Sequence, residues 1–184
     1  NHEDVNHFVV RANLGVSYFF VLSGFVMMLA YAHADKVSFQ KFLKKRFVRI
    51  YPVYVLSLLL LLLYLIKYHQ DIDIEGLWWN LLLLQSWVPG KALSINSPGW
   101  SLSVEFFFYL LFPFLFNYVY KNRSLRVLLP LTIVFFFLSQ VSLHLLLRSS
   151  YFVNHLPESH ELAFYFPVMH LNEFLMGNVA GLFF

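Results

Sequence analysis

From Gly15 to Ala32 the chain reads GVSYFFVLSGFVMMLAYA without a single charged side chain, and runs of this kind decide what it can fold into. A helix needs about 20 mainly apolar residues to cross ~30 Å of hydrocarbon. Three further stretches meet that requirement: Ile50 to Ile66, Trp100 to Tyr120 and Val127 to Leu147. A fifth begins near Phe164 and runs to Phe184. Only 12% of the residues are charged and 59% are hydrophobic, whereas a soluble domain carries about 25% charged residues. That is too little charge to cover a globular surface in water, but it suits a surface facing lipid. The expectation is an all-α, multi-pass transmembrane helix bundle of about five spans. The chain starts at Asn1 rather than Met and stops in an apolar run, so residues 1–184 are expected to be an internal piece of a single transmembrane domain, truncated at both ends.

The segment from Leu77 to Val88 (LWWNLLLLQSWV) needs a separate argument. Twelve residues rise only about 18 Å as a helix, too short to span. Trp78, Trp79 and Trp87 near its ends suit the headgroup region, where indole rings settle. An interfacial or re-entrant segment is expected. Charge placement supports this. Lys36, Lys41, Lys44, Lys45, Arg46 and Arg49 follow the first span, and Lys121, Arg123 and Arg126 follow the third, together nine of the thirteen Lys and Arg. If Leu77–Val88 does not cross, both basic loops fall on one side, as the excess of cytoplasmic Lys and Arg in membrane proteins demands. The basic loops 34–49 and 121–126 are therefore expected to be cytoplasmic. The opposite loops then hold Asp71, Asp73, Glu75, Glu158 and Glu161 with Lys67, Lys91, Arg148 and Arg11.

Within the third span, Ser101, Glu105 and Tyr109 recur every four residues and share one helix face. An ionisable group inside a span costs at least ~2.5 kcal/mol on insertion scales, so it is usually kept for function and faces the protein interior. The alternative is that Glu105 only pairs with a basic side chain to lock helix packing. Arg46 and Arg49 are three residues apart and point the same way on a helix. Two guanidinium forks could clamp phosphates bidentately; equally, they could be ordinary basic anchors of a span. Ser17, Gly24 and Tyr31 fall seven apart and form a stripe that allows close helix packing.

No side-chain cluster has the spacing of a metal site, and the absence of Cys removes disulfides and thiolate ligands. His2 and His7 precede the first span, and an imidazole there could act as a general base or simply be solvated. His144 lies late in the fourth span, with His155 and His160 in the loop after it. His170 and Glu173 stand one helical turn apart, an arrangement that favours a structural hydrogen bond. The net charge of +3 is small, and no nucleic-acid partner is expected.

Read together, these strings resemble one family. Gly15-Val16 with Phe19-Phe20-Val21-Leu22-Ser23-Gly24-Phe25, Arg46-Phe47-Val48-Arg49-Ile50-Tyr51-Pro52, Trp100-Ser101-Leu102-Ser103-Val104-Glu105 continuing into Phe108-Tyr109-Leu110-Leu111-Phe112-Pro113, and Glu173-Phe174-Leu175-Met176-Gly177 look like successive motifs of the acyltransferase 3 family of integral membrane O-acyltransferases. Each string is mostly apolar and weak alone; four in the family's order are specific. The resemblance implies that residues 1–184 are part of one transmembrane acyltransferase domain of about ten helices. Its members move an acyl group, often acetyl from acetyl-CoA, onto a hydroxyl of a carbohydrate or other cell-envelope acceptor. It implies Arg46 and Arg49 as ligands of the acyl-CoA donor, and Glu105, Ser103 and Trp100 as members of the active core. The implied setting is the cell membrane, with the lipid bilayer, acyl-CoA and a carbohydrate or lipid-linked glycan as partners and no metal. The family's key histidine ends a helix that would lie upstream of Asn1, or falls near His2, so this stretch is expected to be inactive alone. The family also commonly has Arg where His170 stands. Two rival classes are a proton-coupled transporter or flippase using Glu105 and Glu173 as a relay, and a purely structural membrane subunit.

Overall fold

The computed structural model describes residues 2–153 and 157–184, with side chains described from Gly15 onward apart from residues 153 and 157. Every regular element among them is helical. Helix α1 (His2–Tyr31) contains the apolar run Gly15–Tyr31, and α2 (Phe39–Lys67) follows after a short loop. A short α3 (Ile74–Leu81) leads through two 3-10 turns, Gln85–Trp87 and Ser97–Gly99, into α4 (Trp100–Phe114), which continues as a π-helical stretch over Leu115–Tyr120. Then come α5 (Leu125–Arg148), the short α6 (Ser150–Val153) and α7 (Pro157–Phe164), and α8 (Leu171–Gly181). Three helical stretches are long and apolar enough to cross a membrane: Phe39–Lys67, Ser97–Tyr120 and Leu125–Arg148. The membrane bundle expected from the apolar runs is the fold found.

Two boundaries differ from the sequence reading, each for a local reason. The second helix begins at Phe39, eleven residues before the apolar run, because the basic segment is itself a good helix former. Arg46 and Arg49 are therefore inside a helix rather than on a flanking loop. The last helix begins at Leu171 instead of Phe164. Pro167 lies between, and the residue before a proline is driven extended; Phe166 sits at φ −71°, ψ 128°.

The core is the seam between α1 and α8, which run parallel. A Cβ on Gly24 would fall onto the Phe174 carbonyl oxygen, and one on Gly177 onto the Val21 carbonyl oxygen. Backbones this close are typical of small-residue helix interfaces in membranes. The packing role expected of Gly24 holds, and Gly177 is its counterpart on α8. Aromatic rings fill the space between this pair and α4: Phe108 stacks on Phe174 at 4.4 Å, and Phe20 meets Phe108 edge-on at 5.3 Å.

Both basic loops lie at one end of the bundle. The Asn117 side chain accepts from the Val37 N–H at 2.9 Å and donates to its carbonyl at 2.8 Å, and Lys121 donates to the Asp35 carbonyl. An amide side chain here replaces a strand partner, and the π-helical stretch turns it toward the loop.

The Leu77–Val88 segment does not span; α3 is eight residues long. Its buried polar groups bond inward. Tyr54 donates to Asn80 Oδ1 (3.1 Å), Gln85 donates to the Gly99 carbonyl (2.8 Å), and Tyr51 donates to the Leu81 carbonyl (3.0 Å). Helix α2 runs on from Tyr54 to Ile66, about 18 Å further, without a charged residue. The segment thus packs against α2 at Tyr51 and Tyr54, with the apolar length of that helix running on past it, as expected of an interfacial or re-entrant segment. Irregular backbone is tolerated at membrane depth only where protein satisfies it. Leu83 and Ile95, at φ 56° and 45°, hold left-handed conformations that cost about 1–2 kcal/mol each for residues other than glycine.

Candidate active site

Glu105 lies on α4 with only 6% of its surface exposed. Two hydroxyls reach its Oε1: Tyr109 donates at 2.6 Å and Ser23, from α1, at 3.2 Å. Among the described residues Oε2 receives no hydrogen bond, and Glu105 lines an open cavity of about 470 Å³ bordered by α1, α2 and α4. Arg46 and Arg49 line the same cavity. The Arg46 guanidinium sits 5.5 Å from the Phe42 ring centre and 5.7 Å from that of Tyr109. Cation–π contact of this kind holds the group by its face and leaves its edge donors available. Neither arginine makes an ion pair within 4.0 Å among the described residues. The cavity therefore holds two arginine side chains and one carboxyl group that are not joined by a direct ion pair among the described residues. That leaves positive charge for an incoming anion.

The spacing argument is borne out in geometry. Ser101, Glu105 and Tyr109 do share a face: Ser101 lines an adjoining cavity of about 510 Å³ between α2 and the start of α4, and Arg49, Ile50 and Leu102 line both. One cleft thus runs along the α2–α4 groove with Arg49 at its middle.

The three α4 residues grouped from the sequence are not brought together. Ser103 is fully buried and donates to the Leu83 carbonyl at 2.7 Å. It is two residues from Glu105, about 200° around the helix, so its hydroxyl anchors the non-spanning segment. Trp100, about 140° from Glu105 around the same axis, lines a different cavity of about 300 Å³ with His170 and Glu173. His170 and Glu173 do bond, Nδ1 to Oε2 at 3.1 Å, and the other ring nitrogen lies 3.0 Å from the Phe164 carbonyl oxygen. Glu105 and Glu173 open into separate cavities. Among the described residues no group of His, Asp and Glu is arranged to hold a metal ion. The side chains of His2, His7 and His155 lie outside the described residues. Ser23 and Tyr109 are the site residues that sequence reasoning passed over as ligands of Glu105. The i, i+4 step from Glu105 pointed to Tyr109, but nothing in the sequence pairs Ser23 with a residue 82 positions away.

A buried carboxylate facing two arginines within a membrane bundle defines a membrane protein with a charged intramembrane site. The acyltransferase domain family matches residues 2–184, and the chain belongs to that family. It is 38% identical over 122 residues to the acyltransferase MdmB of Streptomyces mycarofaciens, covering 62% of this chain and 31% of that protein. It is 32% identical over 152 residues to Protein 2 in the picA locus of Rhizobium radiobacter, covering 71% of this chain and 75% of that protein. The O-acetyltransferase OatA of Staphylococcus aureus is 24% identical over 150 residues, covering 73% of this chain and 24% of that protein. The chain thus spans about a third of MdmB and a quarter of OatA. No solved structure matches it.

Proposed function

We propose that the protein transfers an acyl group, acetyl in the simplest case, from acyl-CoA at the cytoplasmic face of the cell membrane to a hydroxyl of a carbohydrate or other envelope acceptor. The observation that carries this reading is the single cavity in which Arg46 and Arg49 face the buried Glu105. Guanidinium forks suit phosphate oxygens, and CoA brings phosphates joined to a thioester. Arg46 and Arg49 hold the donor's phosphates, and its acyl end extends toward Glu105. The acceptor oxygen attacks the thioester carbonyl, the C–S bond breaks, and the proton lost by the hydroxyl balances the departing CoA thiolate. Glu105, fixed by Tyr109 and Ser23, orients the reacting groups and places a fixed charge beside them in a low-dielectric site, where it acts strongly. The relatives named acyltransferase and O-acetyltransferase favour this chemistry.

The test is acyl transfer from radiolabelled acetyl-CoA in membranes containing the full-length protein. Arg49→Ala and Glu105→Gln should each lower incorporation into envelope material by at least about a hundredfold, the scale of losing one charged contact in a dry site, with membrane expression unchanged. Wild-type incorporation by either variant overturns the reading.

A further inference from the structure

The cavity that holds Trp100, away from Glu105, has its own chemistry. At about 300 Å³ it stands at the lower limit of ordinary small-molecule sites, a size for one ring rather than a coenzyme or an oligosaccharide. Its polar wall is Ser17 from α1, Gln140 from α5, and Asn172 and Glu173 from α8, with His170 just before that helix. The indole of Trp100 forms part of the facing wall. Most of these polar groups are already tied in place. His170 bridges Glu173 Oε2 and the Phe164 carbonyl, and Asn172 donates to Ser139 Oγ at 2.6 Å while accepting from the Glu173 N–H at 2.7 Å. Glu173 Oε1 and the Gln140 amide make no hydrogen bond among the described residues, and both belong to the lining. A carboxyl group within an apolar bundle is expensive and is usually kept for function. A free carboxylate oxygen and a free amide together recognise a ligand that has hydroxyl donors on its edge, and the Trp100 indole, itself packed by Phe20, Tyr165 and His170, closes one side of the space.

We propose that this cavity is a binding subsite for a single polyhydroxylated ring, a hexopyranose-sized unit of the acceptor. Glu173 Oε1 accepts from ring hydroxyls, Gln140 bonds a neighbouring pair, and the ring packs against Trp100. Glu105 lines a different cavity from Trp100, His170 and Glu173. The ring held here anchors the acceptor and is not the unit acylated at Glu105. Its role as an acceptor subsite rests on the acyl-transfer reading, whereas ring binding itself does not.

The experiment is saturation-transfer NMR on the detergent-purified full-length protein, titrated with a panel of methyl hexopyranosides and with cyclohexanol as the apolar control. At least one glycoside should bind and cyclohexanol should not. Glu173→Gln and Gln140→Leu should each weaken that glycoside by about tenfold, the scale of one hydrogen bond to a charged or buried partner. Gln140 is an exposed residue of α5, so its replacement leaves the fold intact and guards against a misfolded Glu173 variant. Arg49→Ala should keep wild-type glycoside binding. No binding by any glycoside, or equal binding by Gln140→Leu, overturns the subsite. Glycoside binding as described together with no acyl transfer would instead remove the acyl-transfer reading and leave the subsite standing.

Discussion

Tyr109 and Ser23 both donate to Oε1 of Glu105, so the two hydroxyls fix the carboxyl group and leave its second oxygen unbonded among the described residues. Tyr109→Phe removes the shorter bond and keeps the ring under Arg46. A hydrogen bond to a charged group contributes about 1.5–3 kcal/mol, so kcat should fall roughly tenfold to a hundredfold. Steady-state kinetics with acyl-CoA would measure it, and an unchanged kcat would count against Glu105 as the organising group. Ser103→Ala is expected to behave differently. It should lower the unfolding free energy by about 1–3 kcal/mol, because the buried Leu83 carbonyl loses its donor. The transfer rate per folded molecule should stay at the wild-type level. The contrast explains what the sequence could show at this scale. A string such as Trp100-Ser101-Leu102-Ser103-Val104-Glu105 reads as one motif, yet a helix sends its members to three different surroundings. The pairing of Arg46 with Arg49 was legible because a three-residue step is close to one turn. The bond from Ser23 was not legible, since it depends on how α1 docks.

Glycines set how the elements meet. Gly177→Ala would place a methyl against the Val21 carbonyl, which is backbone and cannot swing aside. The α1–α8 seam should open, at a cost of about 1–3 kcal/mol for overpacking, seen as a lower melting temperature in detergent. Gly15→Ala, which lies inside α1 and meets nothing within 4 Å, should leave the melting temperature unchanged or raise it slightly, since Ala is the better helix former. The non-spanning segment has a separate fastening. Asp73 caps α3, accepting from the Gly76 N–H at 2.9 Å, and pairs with Lys91 at 2.9 Å; Glu75 lies 3.2 Å from the same lysine. The Gly76 N–H first, and Lys91 after it, hold the Asp73 carboxyl below its ordinary value of 3.8. A carboxyl lowered in the folded state adds stability above its ordinary value and loses it as pH falls through the lowered one. Limited proteolysis should therefore cut residues 70–96 faster below about pH 4, and Asp73→Asn should show the faster cutting already at neutral pH. Element type was readable here from length alone, since twelve residues cannot span. That the segment packs against α2 was not, because its contacts to Tyr51 and Tyr54 are distant in sequence.

At the scale of the whole molecule, the two basic loops meet at one end, as counting Lys and Arg led one to expect. Residues 1–184 contain no cysteine, so no native thiol of this stretch competes with a single cysteine placed in it to report sidedness. Ser38→Cys and Asn122→Cys should react with an impermeant maleimide only in inside-out vesicles, and His69→Cys only in right-side-out ones. Labelling of Ser38→Cys and Asn122→Cys from opposite sides would break the topology. The bundle as a whole was legible because apolar run length and charge placement act at every position. The grouping of Arg46, Arg49 and Glu105 in one cavity, and of Trp100 with His170 and Glu173 in another, came only from packing.

The most direct measurement of the account is equilibrium binding of acetyl-CoA to the purified full-length protein and its Arg46→Ala and Arg49→Ala variants. Each guanidinium that forks a phosphate should contribute about 1.5–3 kcal/mol, so each variant should bind at least about tenfold more weakly, and 3′-dephospho-acetyl-CoA should lose less from the substitution it no longer contacts. Wild-type affinity in both variants would contradict the assignment of this cavity to the acyl donor.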